Sequence, residues 1–532
     1  MSRMRPVELD EGDWSDDDDL GESTGDDGHA GHEAAAGTEP GGPAVGEEPL
    51  APPGRRGRGR AGRSLGRARG RWLVAGGAAA LVVGAFVVQG VVEARREAHV
   101  ARFDDVPGVL APLDTLPVLR ADVEAPSENA LTQVGAVVLL QRDGGVSTVR
   151  VEALDRSTGD TVWTQDVEVP PDLRALAQGD PEPYELDCRA AGTDVAACVV
   201  EPAVTRLGPG PPDLLVTLDA ADGTVLDRRP LAADDWEVLG TSVLTLGPGE
   251  VRLDLPDPDD DAGSASGEAT WTVEAHSATD AETAWVWTAP TALPYDPGLM
   301  GGARLETSGD HVLVTVPGHW WLLDAAGTLV REGAQDEDEW QSLARGGLPV
   351  SGTFERQTYD DGSVASIPEP GEWGLPSRFA VDDASVPDVT FTGTRDQVLQ
   401  ARDVRTGELW WEHATAGQEP LLLDGVVVVL DDARVLALDA RTGAVRWSGP
   451  AGDEVTSLAT DGRRVLALPG FGGLLRAFAL EDGRVDWEGR LPGAPAQVRA
   501  VQGVLLATDQ DGAAPTLVVP RRVAGDSAVP RP

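Results

Sequence analysis

The sequence predicts an all-β fold, an eight-bladed β-propeller of four-stranded antiparallel blades, with seven blades as the alternative. A short motif of Asp, Gly and Trp recurs along the chain, and two further strand-like runs precede the best copies. Successive turn positions of this motif lie 35 to 64 residues apart, near the ~40–50 residues of a four-stranded propeller unit. The repeat therefore predicts the architecture and says much less about activity.

The motif is typical of a tight turn followed by a strand. Gly lies four residues before Trp in four clear copies, and three of them place Asp four residues before that Gly. Asp at the start of a type I turn accepts backbone N–H hydrogen bonds, and Gly supplies a positive φ. The indole ring is too large for burial within one sheet, so we expect it to pack on the neighbouring sheet. The structural repeat residues are Asp155, Gly159, Trp163, Asp403, Gly407, Trp411, Asp439, Gly443, Trp447, Gly483 and Trp487.

Weaker copies extend the pattern, with turn positions at Gly223, Ala281, Gly327 and, most faintly, Gly362. After the last Trp, the apolar runs 504–507 and 517–519 form an incomplete blade. We expect the segment 117–123, which precedes the first repeat, to complete this blade. Such pairing would close the ring and leave no open sheet edge.

The phrase Asp-x-x-Thr-Gly-x-x-x-Trp resembles the repeat of quinoprotein-like (PQQ-type) propellers, over about residues 115–520. That family includes quinoprotein dehydrogenases and non-enzymatic scaffold propellers, such as the lipoprotein that assists outer-membrane protein assembly. Eight blades are usual there. A dehydrogenase would imply a Ca²⁺ site, an Asp base, a stacking Trp and, in some members, a disulfide between adjacent cysteines.

This chain departs from the dehydrogenase pattern. Its cysteines are ten residues apart, and no Asp, Asn or Glu matches the calcium or base positions. An acidic loop, 257–268, has carboxylates spaced as in a calcium loop, but Ala262 replaces the required Gly. The resemblance therefore points to a membrane-anchored non-enzymatic branch, with no catalytic residue, no cofactor and no metal.

The N-terminal region predicts a membrane anchor. Residues 1–54 form an acidic tail that we expect to be disordered, and eight arginines without an acid occupy 55–71. Residues 72–92 are 21 uncharged, mostly apolar residues, about 32 Å as a helix and long enough to span a bilayer. A stalk at 93–116, the propeller at 117–520 and a C-terminal tail at 521–532 complete the predicted organisation.

The charges predict the orientation and exclude one class of partner. Arginines before the apolar span outnumber those after it, so the positive-inside rule places the N-terminus in the cytoplasm and the propeller outside. The formal net charge of −46 argues against nucleic-acid binding. We expect a single-pass protein of the cell membrane.

Cys188 and Cys198 are the only cysteines. Gly192 and Asp194 between them indicate a hairpin turn, so both cysteines would lie on neighbouring strands. An exported domain favours a cross-strand disulfide, and two buried free thiols are the alternative. One pair without further thiols is weak evidence for zinc.

Three functions fit this sequence. The first is a non-enzymatic binding or scaffold module with an envelope or cell-surface protein as its partner. The alternatives are a quinone-dependent oxidoreductase and a transmembrane sensor that signals through the cytoplasmic tail. The sequence leaves open the identity of the partner, the oligomeric state and the role of the tail.

Overall fold

A computed structural model describes residue 98 and residues 101–521, apart from short internal gaps. The chain divides into residues 1–80 and 81–532, and every described residue belongs to the second part. The predicted tail, the arginine-rich segment and the apolar span 72–92 lie outside the described residues. None of the helices in the described part is long and apolar enough to cross a membrane. The gaps are 99–100, 104, 125–130, 143, 177–183, 204–210, 232, 234, 255–265, 296–302, 337–338, 359–363, 371–374, 395–396, 416–418, 432, 453–454, 471–472 and 509–514.

Nine sheets follow one another along the described chain, and eight of them contain four antiparallel strands in a row. Sheets 1 to 3 are β2(Leu131–Val134), β3(Val137–Arg142), β4(Thr148–Asp155) and β5(Thr161–Glu168); then, after the helix α1(Pro171–Leu176), β6(Tyr184–Ala190), β7(Val195–Pro202), β8(Asp213–Asp219) and β9(Val225–Leu231); then β10(Asp235–Leu239), β11(Ser242–Asp254), β12(Ser266–Ser277) and β13(Thr283–Thr288), with β14(Leu293–Tyr295) added beside β12.

Sheets 4 to 6 include the one three-stranded sheet among the nine. They are β15(Arg304–Ser308), β16(His311–Val316), β17(His319–Asp324) and β18(Leu329–Ala334); then β19(Glu339–Ala344), β20(Leu348–Thr358) and β21(Val364–Pro370), with a 3-10 turn at Arg345–Gly347; then β22(Leu375–Pro376), β24(Val389–Gly393), β25(Val398–Asp403) and β26(Leu409–Ala414).

Sheets 7 and 8 and the closing sheet complete the series. They are β27(Leu421–Leu423), β28(Val426–Asp431), β29(Arg434–Asp439) and β30(Val445–Pro450), with β23(Val381–Asp382) parallel to β27; then β31(Val455–Thr460), β32(Arg464–Pro469), β33(Leu475–Ala479) and β34(Val485–Gly489); then β35(Gln497–Val501), β36(Val504–Thr508) and β37(Thr516–Val519), which pair with β1(Val118–Glu124).

The strand pairing confirms the predicted all-β propeller with eight four-stranded antiparallel blades. Sheet 5, which has three strands, is a ninth sheet, and the sequence indicated it only by the faintest copy of the motif. Its β20–β21 connection contains the faint copy at Gly362, which lies outside the described residues. The first strands of consecutive sheets contact one another, as β2 contacts β6 and β10 contacts β15. This contact places the first strands at the centre of the ring.

The ring closes as the sequence predicted. β1, from the start of the propeller, pairs antiparallel with β37, with Val118 opposite Val519. The hydrophobic core then continues across each sheet-to-sheet contact, and one cluster joins β36 and β37 to β2 and β3 of sheet 1. Because each sheet is covered on both faces, middle strands such as β7, β28 and β32 are buried on both faces, whereas the first and outermost strands are mixed.

Every regular sheet has two hairpin turns at one end. In sheet 7, Ala440 in the third turn donates its N–H to the carbonyl of Gly425 in the first turn, and Leu480 bonds Arg463 likewise in sheet 8. We call the end that carries these turns the repeat-turn end, since the third turn holds the Asp and Gly of the motif. The second turn of each sheet lies at the opposite end.

Part of the predicted stalk packs on the ring. Phe103, Val109, Leu110 and Leu113 are buried. We call residues 103–114 the N-terminal strap, because they lie across the first turns of several sheets at the repeat-turn end. The described part of the stalk is therefore a component of the propeller rather than a free linker.

Candidate functional site

Three of the four clear repeats use an Asp carboxylate to close the third turn, and all four have a hydrogen bond from the Gly N–H to the carbonyl four residues before it. In sheet 7 the Asp439 carboxylate accepts the N–H of Thr442 (3.0 Å) and the hydroxyl of Thr442 (2.9 Å), and the N–H of Gly443 bonds the Asp439 carbonyl (2.8 Å). Gly443 has a φ of 66°. A hydrogen bond from the Arg446 guanidinium is the largest of the interactions that lower the pKa of Asp439.

The other aspartates of the repeat play the same part. Asp155 accepts the N–H groups of Ser157 and Thr158, both at 2.9 Å. Asp403 accepts those of Arg405 and Thr406 at the same distance, and these bonds lower its pKa. The repeat aspartates are therefore turn residues, and Gly159, Gly407 and Gly483 also have positive φ.

The repeat tryptophans join neighbouring sheets. Trp447 lies over Gly483 of the next sheet, so closely that a Cβ added there would be 2.5 Å from the ring, and its Nε1 donates to the Leu480 carbonyl (2.8 Å). Trp411 packs on Gly443 and donates to Ala440 (2.9 Å). The glycine of one repeat is thus the platform for the tryptophan of the preceding one.

The tryptophans of the first and last clear copies have different kinds of partner. Trp163 packs on Gly223, the weak copy in sheet 2, and donates to the Ala220 carbonyl (2.8 Å). Trp487 donates instead to the carbonyl of Leu113 in the N-terminal strap (2.8 Å). The strap therefore takes the place of a repeat turn beside the closing sheet.

A further ring at a weaker copy makes the same contact. Trp285 lies over Gly327 of sheet 4 and donates to the Ala325 carbonyl (3.0 Å). Ala281, at the glycine position of that copy, has a φ of 58°. The spacing to Trp285 was the signal in the sequence, although the alanine weakened it.

Cys188 and Cys198 form a disulfide bond between β6 and β7, where they lie directly opposite each other. Their Cα atoms are 4.0 Å apart. The Thr132 hydroxyl of sheet 1 donates to the Cys188 carbonyl (2.6 Å). The bond therefore joins the innermost hairpin of sheet 2, at its contact with sheet 1.

Charged side chains on the first strands of sheets 2 and 3 bind one another. Arg189 lies 2.7 Å from Glu237 and 3.1 Å from Asp187, with its guanidinium 4.2 Å from the Trp236 ring centre. Burial raises the pKa of Glu237, and the charge of Arg189 opposes this effect. These groups satisfy one another and so hold the inner rim of two sheets together.

Polar side chains also connect the inner parts of sheets 4 to 6. The Glu306 carboxylate accepts the Ser342 hydroxyl (2.8 Å) and the Leu343 N–H (3.0 Å) of sheet 5. Arg345 then pairs with Asp382 (2.5 Å), next to the parallel strand pair β23–β27. Inter-sheet polar bonds thus replace a repeat tryptophan around the three-stranded sheet.

A buried carboxylate anchors the N-terminal strap. Asp461, in the first turn of sheet 8, is fully buried and accepts the Leu113 N–H and the Arg464 guanidinium, both at 3.0 Å. On the side of sheet 1, Gln133 accepts the Gly108 N–H (2.9 Å) and Arg156 donates to the Val109 carbonyl (2.9 Å). The strap therefore connects sheets 1 and 8 across the closing sheet.

No group of three or more His, Cys, Asp and Glu side chains within the described ranges could hold a metal ion. The acidic loop 257–268 lies mostly in the gap 255–265. The repeat Asp and Trp side chains are held in turns and in sheet-to-sheet contacts, so the motif itself offers structural groups rather than a ligand set.

The repeat turns of sheets 6 to 8 lie within a match to a known protein family. A family model described as outer membrane protein assembly factor BamB matches residues 360–515, which include three of the clear repeats. The chain carries quinoprotein-like propeller repeats. The motif residues on which we based the resemblance thus lie, for sheets 6 to 8, within the matched range.

Curated relatives match a shorter stretch. Serine/threonine-protein kinase AfsK of Streptomyces griseus is 44% identical over 69 residues, and its counterpart in Streptomyces coelicolor is 42% identical over 69 residues. The match covers 12% of this chain and 9% of each kinase. The chain thus spans about a tenth of the length of these relatives.

Solved propellers resemble the chain at low identity. BamB from Moraxella catarrhalis has a TM-score of 0.35 and 14% identity, covering 75% of this chain and 97% of its own. Quinohemoprotein alcohol dehydrogenase from Comamonas testosteroni has a TM-score of 0.35 and 13% identity, covering 80% and 78%. BamB and an alcohol dehydrogenase match equally well, so this likeness carries no argument about activity.

Proposed function

We propose that this protein is a membrane-anchored propeller that binds envelope or cell-surface proteins on the extracytoplasmic side and carries out no reaction of its own. The observation that carries the proposal is the match of residues 360–515 to a model described as an assembly factor. The use of the repeat residues supports it, since Asp439, Gly483 and Trp447 build turns and sheet contacts. A rigid ring of this kind presents loops to a partner.

Membrane anchoring is the second part of the proposal. The uncharged segment 72–92 follows eight arginines, and the ring follows the segment. This order favours a single-pass protein with a cytoplasmic N-terminus. The Cys188–Cys198 disulfide agrees with an oxidising compartment for the ring.

Extraction and protease treatment test the anchoring. We expect the full chain to stay with membranes in alkaline carbonate, which releases peripheral proteins. Protease added to intact cells should remove a C-terminal epitope and leave an N-terminal epitope protected. Loss of the N-terminal epitope with an intact C-terminal epitope would reverse the orientation, and complete release by carbonate would contradict the anchor.

Proximity labelling tests the partner class. A labelling enzyme fused after Pro532 should modify envelope or cell-surface proteins on intact cells, whereas the same enzyme fused before Met1 should modify cytoplasmic ones. Labelling of the same proteins by both fusions would contradict the proposal. Dye reduction that needs added quinone and Ca²⁺, with a higher melting temperature in their presence, would favour the oxidoreductase instead.

A transmembrane sensor is the second candidate, and the N-terminal strap favours it. The strap begins eleven residues after the apolar span and is hydrogen-bonded to sheets 1 and 8. A change in the ring would therefore reach the segment that leads to the span. Asp461→Ala, which removes the strap anchor, should alter capture of cytosolic proteins by the tail if the sensor is correct and leave it unchanged if it is not.

A further inference from the structure

An exposed aliphatic residue recurs at one position of the ring. The outermost strands of five sheets each begin with an exposed Val or Leu, directly after the repeat turn. In sheet 7, Val445 is 57% exposed, whereas Trp447 on the same strand is 7% exposed. We call these residues the apolar belt: Val225, Leu329, Leu409, Val445 and Val485.

Further exposed apolar side chains widen the belt. Trp410 follows Leu409 and is 36% exposed, and Val330 follows Leu329. Val162, the second residue of β5, is exposed in sheet 1. Single exposed apolar residues are ordinary, but the same position around a ring produces a band at one end.

The chain enters the ring at the same end as the belt. Arg102 forms an ion pair with Asp424 in the first turn of sheet 7 (2.6 Å). The carbonyl of Gly425, in that same turn, accepts the Ala440 N–H of the repeat turn that leads into Val445. The entry point and the belt are thus joined through two adjacent turns of one sheet.

The length of the connection holds this end near the predicted span. Arg102 is the tenth residue after Val92, so the two are at most ~33–36 Å apart if the connection is fully extended. Ala98 and Ala101 are helical, and a helix of ten residues would be only about 15 Å long. The repeat-turn end is therefore the end that the anchor brings to the bilayer surface.

We propose that the repeat-turn end lies flat on the outer surface of the membrane, with the apolar belt in contact with the lipid headgroup layer. This inference rests on the proposed membrane anchoring. Aliphatic side chains and a tryptophan suit the interface between headgroups and hydrocarbon. Because the chain has a net charge of −46, anionic lipids would repel the ring, and zwitterionic lipid is the expected partner.

This orientation assigns the opposite end of the ring to protein partners. The second turns of each sheet and the connections between sheets lie there, facing away from the membrane. The strap at the repeat-turn end adds to the cover of the first turns on sheets 1 and 8.

Site-directed spin labels test the contact in the full chain. Val445→Cys and Val225→Cys place a nitroxide on the belt in sheets 7 and 2. Ala433→Cys places it on the exposed second turn of sheet 7, at the opposite end, as the matched control. The native cysteines are bonded to each other and do not react. Each labelled chain is assembled, one per disc, into phosphatidylcholine nanodiscs.

The measurement is the ratio of collisions with oxygen, which enters lipid, to collisions with a water-soluble nickel chelate. We expect this ratio to be several-fold higher at positions 445 and 225 than at 433. Equal ratios at all three positions would overturn the inference, and a raised ratio at one belt position would overturn the flat orientation. A raised ratio that appears only in vesicles with many copies, and not in discs with one copy, would overturn the lipid contact and assign the belt to a second copy of this chain.

Two outcomes separate this inference from the proposed function. If the full chain does not enter the discs and is released by carbonate, the anchoring itself fails. If it stays in the discs but the belt labels remain as accessible to the chelate as the control label, only the orientation fails. All three labelled positions are exposed, so we expect each variant to fold. Thermal melting of each labelled variant checks that the ring is folded.

Discussion

At the scale of single residues, the repeat tryptophans connect one sheet to the next. Trp447 is buried, stacks on Phe478 with ring centres 6.1 Å apart and donates its Nε1 proton to Leu480. Trp447→Ala would leave a cavity and an unpaired carbonyl, so we expect the free energy of unfolding to fall by about 3–5 kcal/mol. Urea unfolding followed by circular dichroism measures the change.

Trp410→Ala is the matched control for this prediction, because Trp410 belongs to an outermost strand but its ring is exposed. We expect a change within about 0.5 kcal/mol, as for other surface substitutions. If the two variants unfold at the same urea concentration, the indole at position 447 does not join the sheets.

A repeat glycine has two separable roles: it permits a positive φ, and it leaves room for the tryptophan ring of the preceding sheet. Gly483 has a φ of 70°, and a Cβ there would lie 2.5 Å from the Trp447 ring. Gly309 has a φ of 58° but no atom within 4 Å of its added Cβ. Gly309→Ala should therefore cost only the backbone strain of about 1–2 kcal/mol. Gly483→Ala should cost about 1–3 kcal/mol more, because the ring must shift.

The free energy of unfolding of both variants measures this difference. Equal losses would mean that the tryptophan moves without cost and that only the backbone conformation requires glycine at position 483.

The turn aspartates predict a loss of stability in acid. Backbone N–H groups lower the pKa of Asp403 and Asp324, and Arg441 lowers that of Asp388. A carboxylate whose pKa is lower in the folded state stabilises that state above its unfolded pKa, near ~3.9. The contribution is lost as the pH falls through the folded pKa. The unfolding midpoint in urea should therefore decrease as the pH is lowered from about 5 towards 3.

Asp403→Asn provides the control for the acid dependence. The amide cannot ionise, so the midpoint of this variant should fall less steeply with decreasing pH than that of the parent. Parallel curves for the two proteins would show that Asp403 does not contribute to the acid sensitivity.

At the scale of elements, the N-terminal strap depends on one buried carboxylate. Asp461→Ala would leave the Leu113 N–H without its acceptor and remove a buried partner of Arg464. We expect the free energy of unfolding to fall by about 3–5 kcal/mol, and the Leu110 and Leu113 amides to exchange hydrogen faster. Hydrogen exchange with mass spectrometry measures the second effect.

Asp114→Ala is the control, because Asp114 pairs with the same arginine at 3.1 Å but is largely exposed. An exposed ion pair contributes about 0–1 kcal/mol, so stability and amide exchange should change little. Faster exchange throughout the ring in Asp461→Ala, without an excess at the strap, would mean that the carboxylate stabilises the sheet rather than the strap.

The predictable elements are those with a local signal. Asp439, Gly443 and Trp447 lie within nine residues, so turn chemistry and strand alternation indicate both the hairpin and the buried ring. Sheet 5 has no such strong signal, since its three strands lack a repeat tryptophan. Its Ser342 and Arg345 pair with Glu306 and Asp382, which lie in the neighbouring sheets.

The strap and the polar contacts between the first strands could not be predicted for the same reason. Phe103 and Leu113 are buried by sheets 7 and 8, whose residues lie more than 300 positions later. No periodicity within residues 93–116 indicates that contact, so the sequence favoured a free stalk. The pairing of Arg189 with Glu237 likewise depends on the packing of two sheets rather than on spacing in the chain.

At the scale of the whole molecule, ring closure joins the two ends of the propeller. β37 lies between β1 and β36 in the closing sheet. Leu517, Val518 and Val519 are buried, and Leu517 and Val519 also contact Gly159 in the first repeat turn. One four-residue strand therefore supports the closing sheet and sheet 1 at once.

A chain that ends at Pro515 lacks β37, whereas a chain that ends at Arg521 keeps every described strand. Loss of three buried aliphatic side chains, each contributing about 1.5–3 kcal/mol, and of the pairing on both sides should lower the melting temperature and expose the edges of β1 and β36. We expect the shorter chain to melt earlier and to associate on size-exclusion chromatography, while the longer chain behaves as the parent. A synthetic peptide covering residues 514–521 should raise the melting temperature of the shorter chain, because it can add the missing strand. If the two truncated chains melt alike, or if the peptide has no effect on a chain that does melt early, the ring is not closed by β37 in solution.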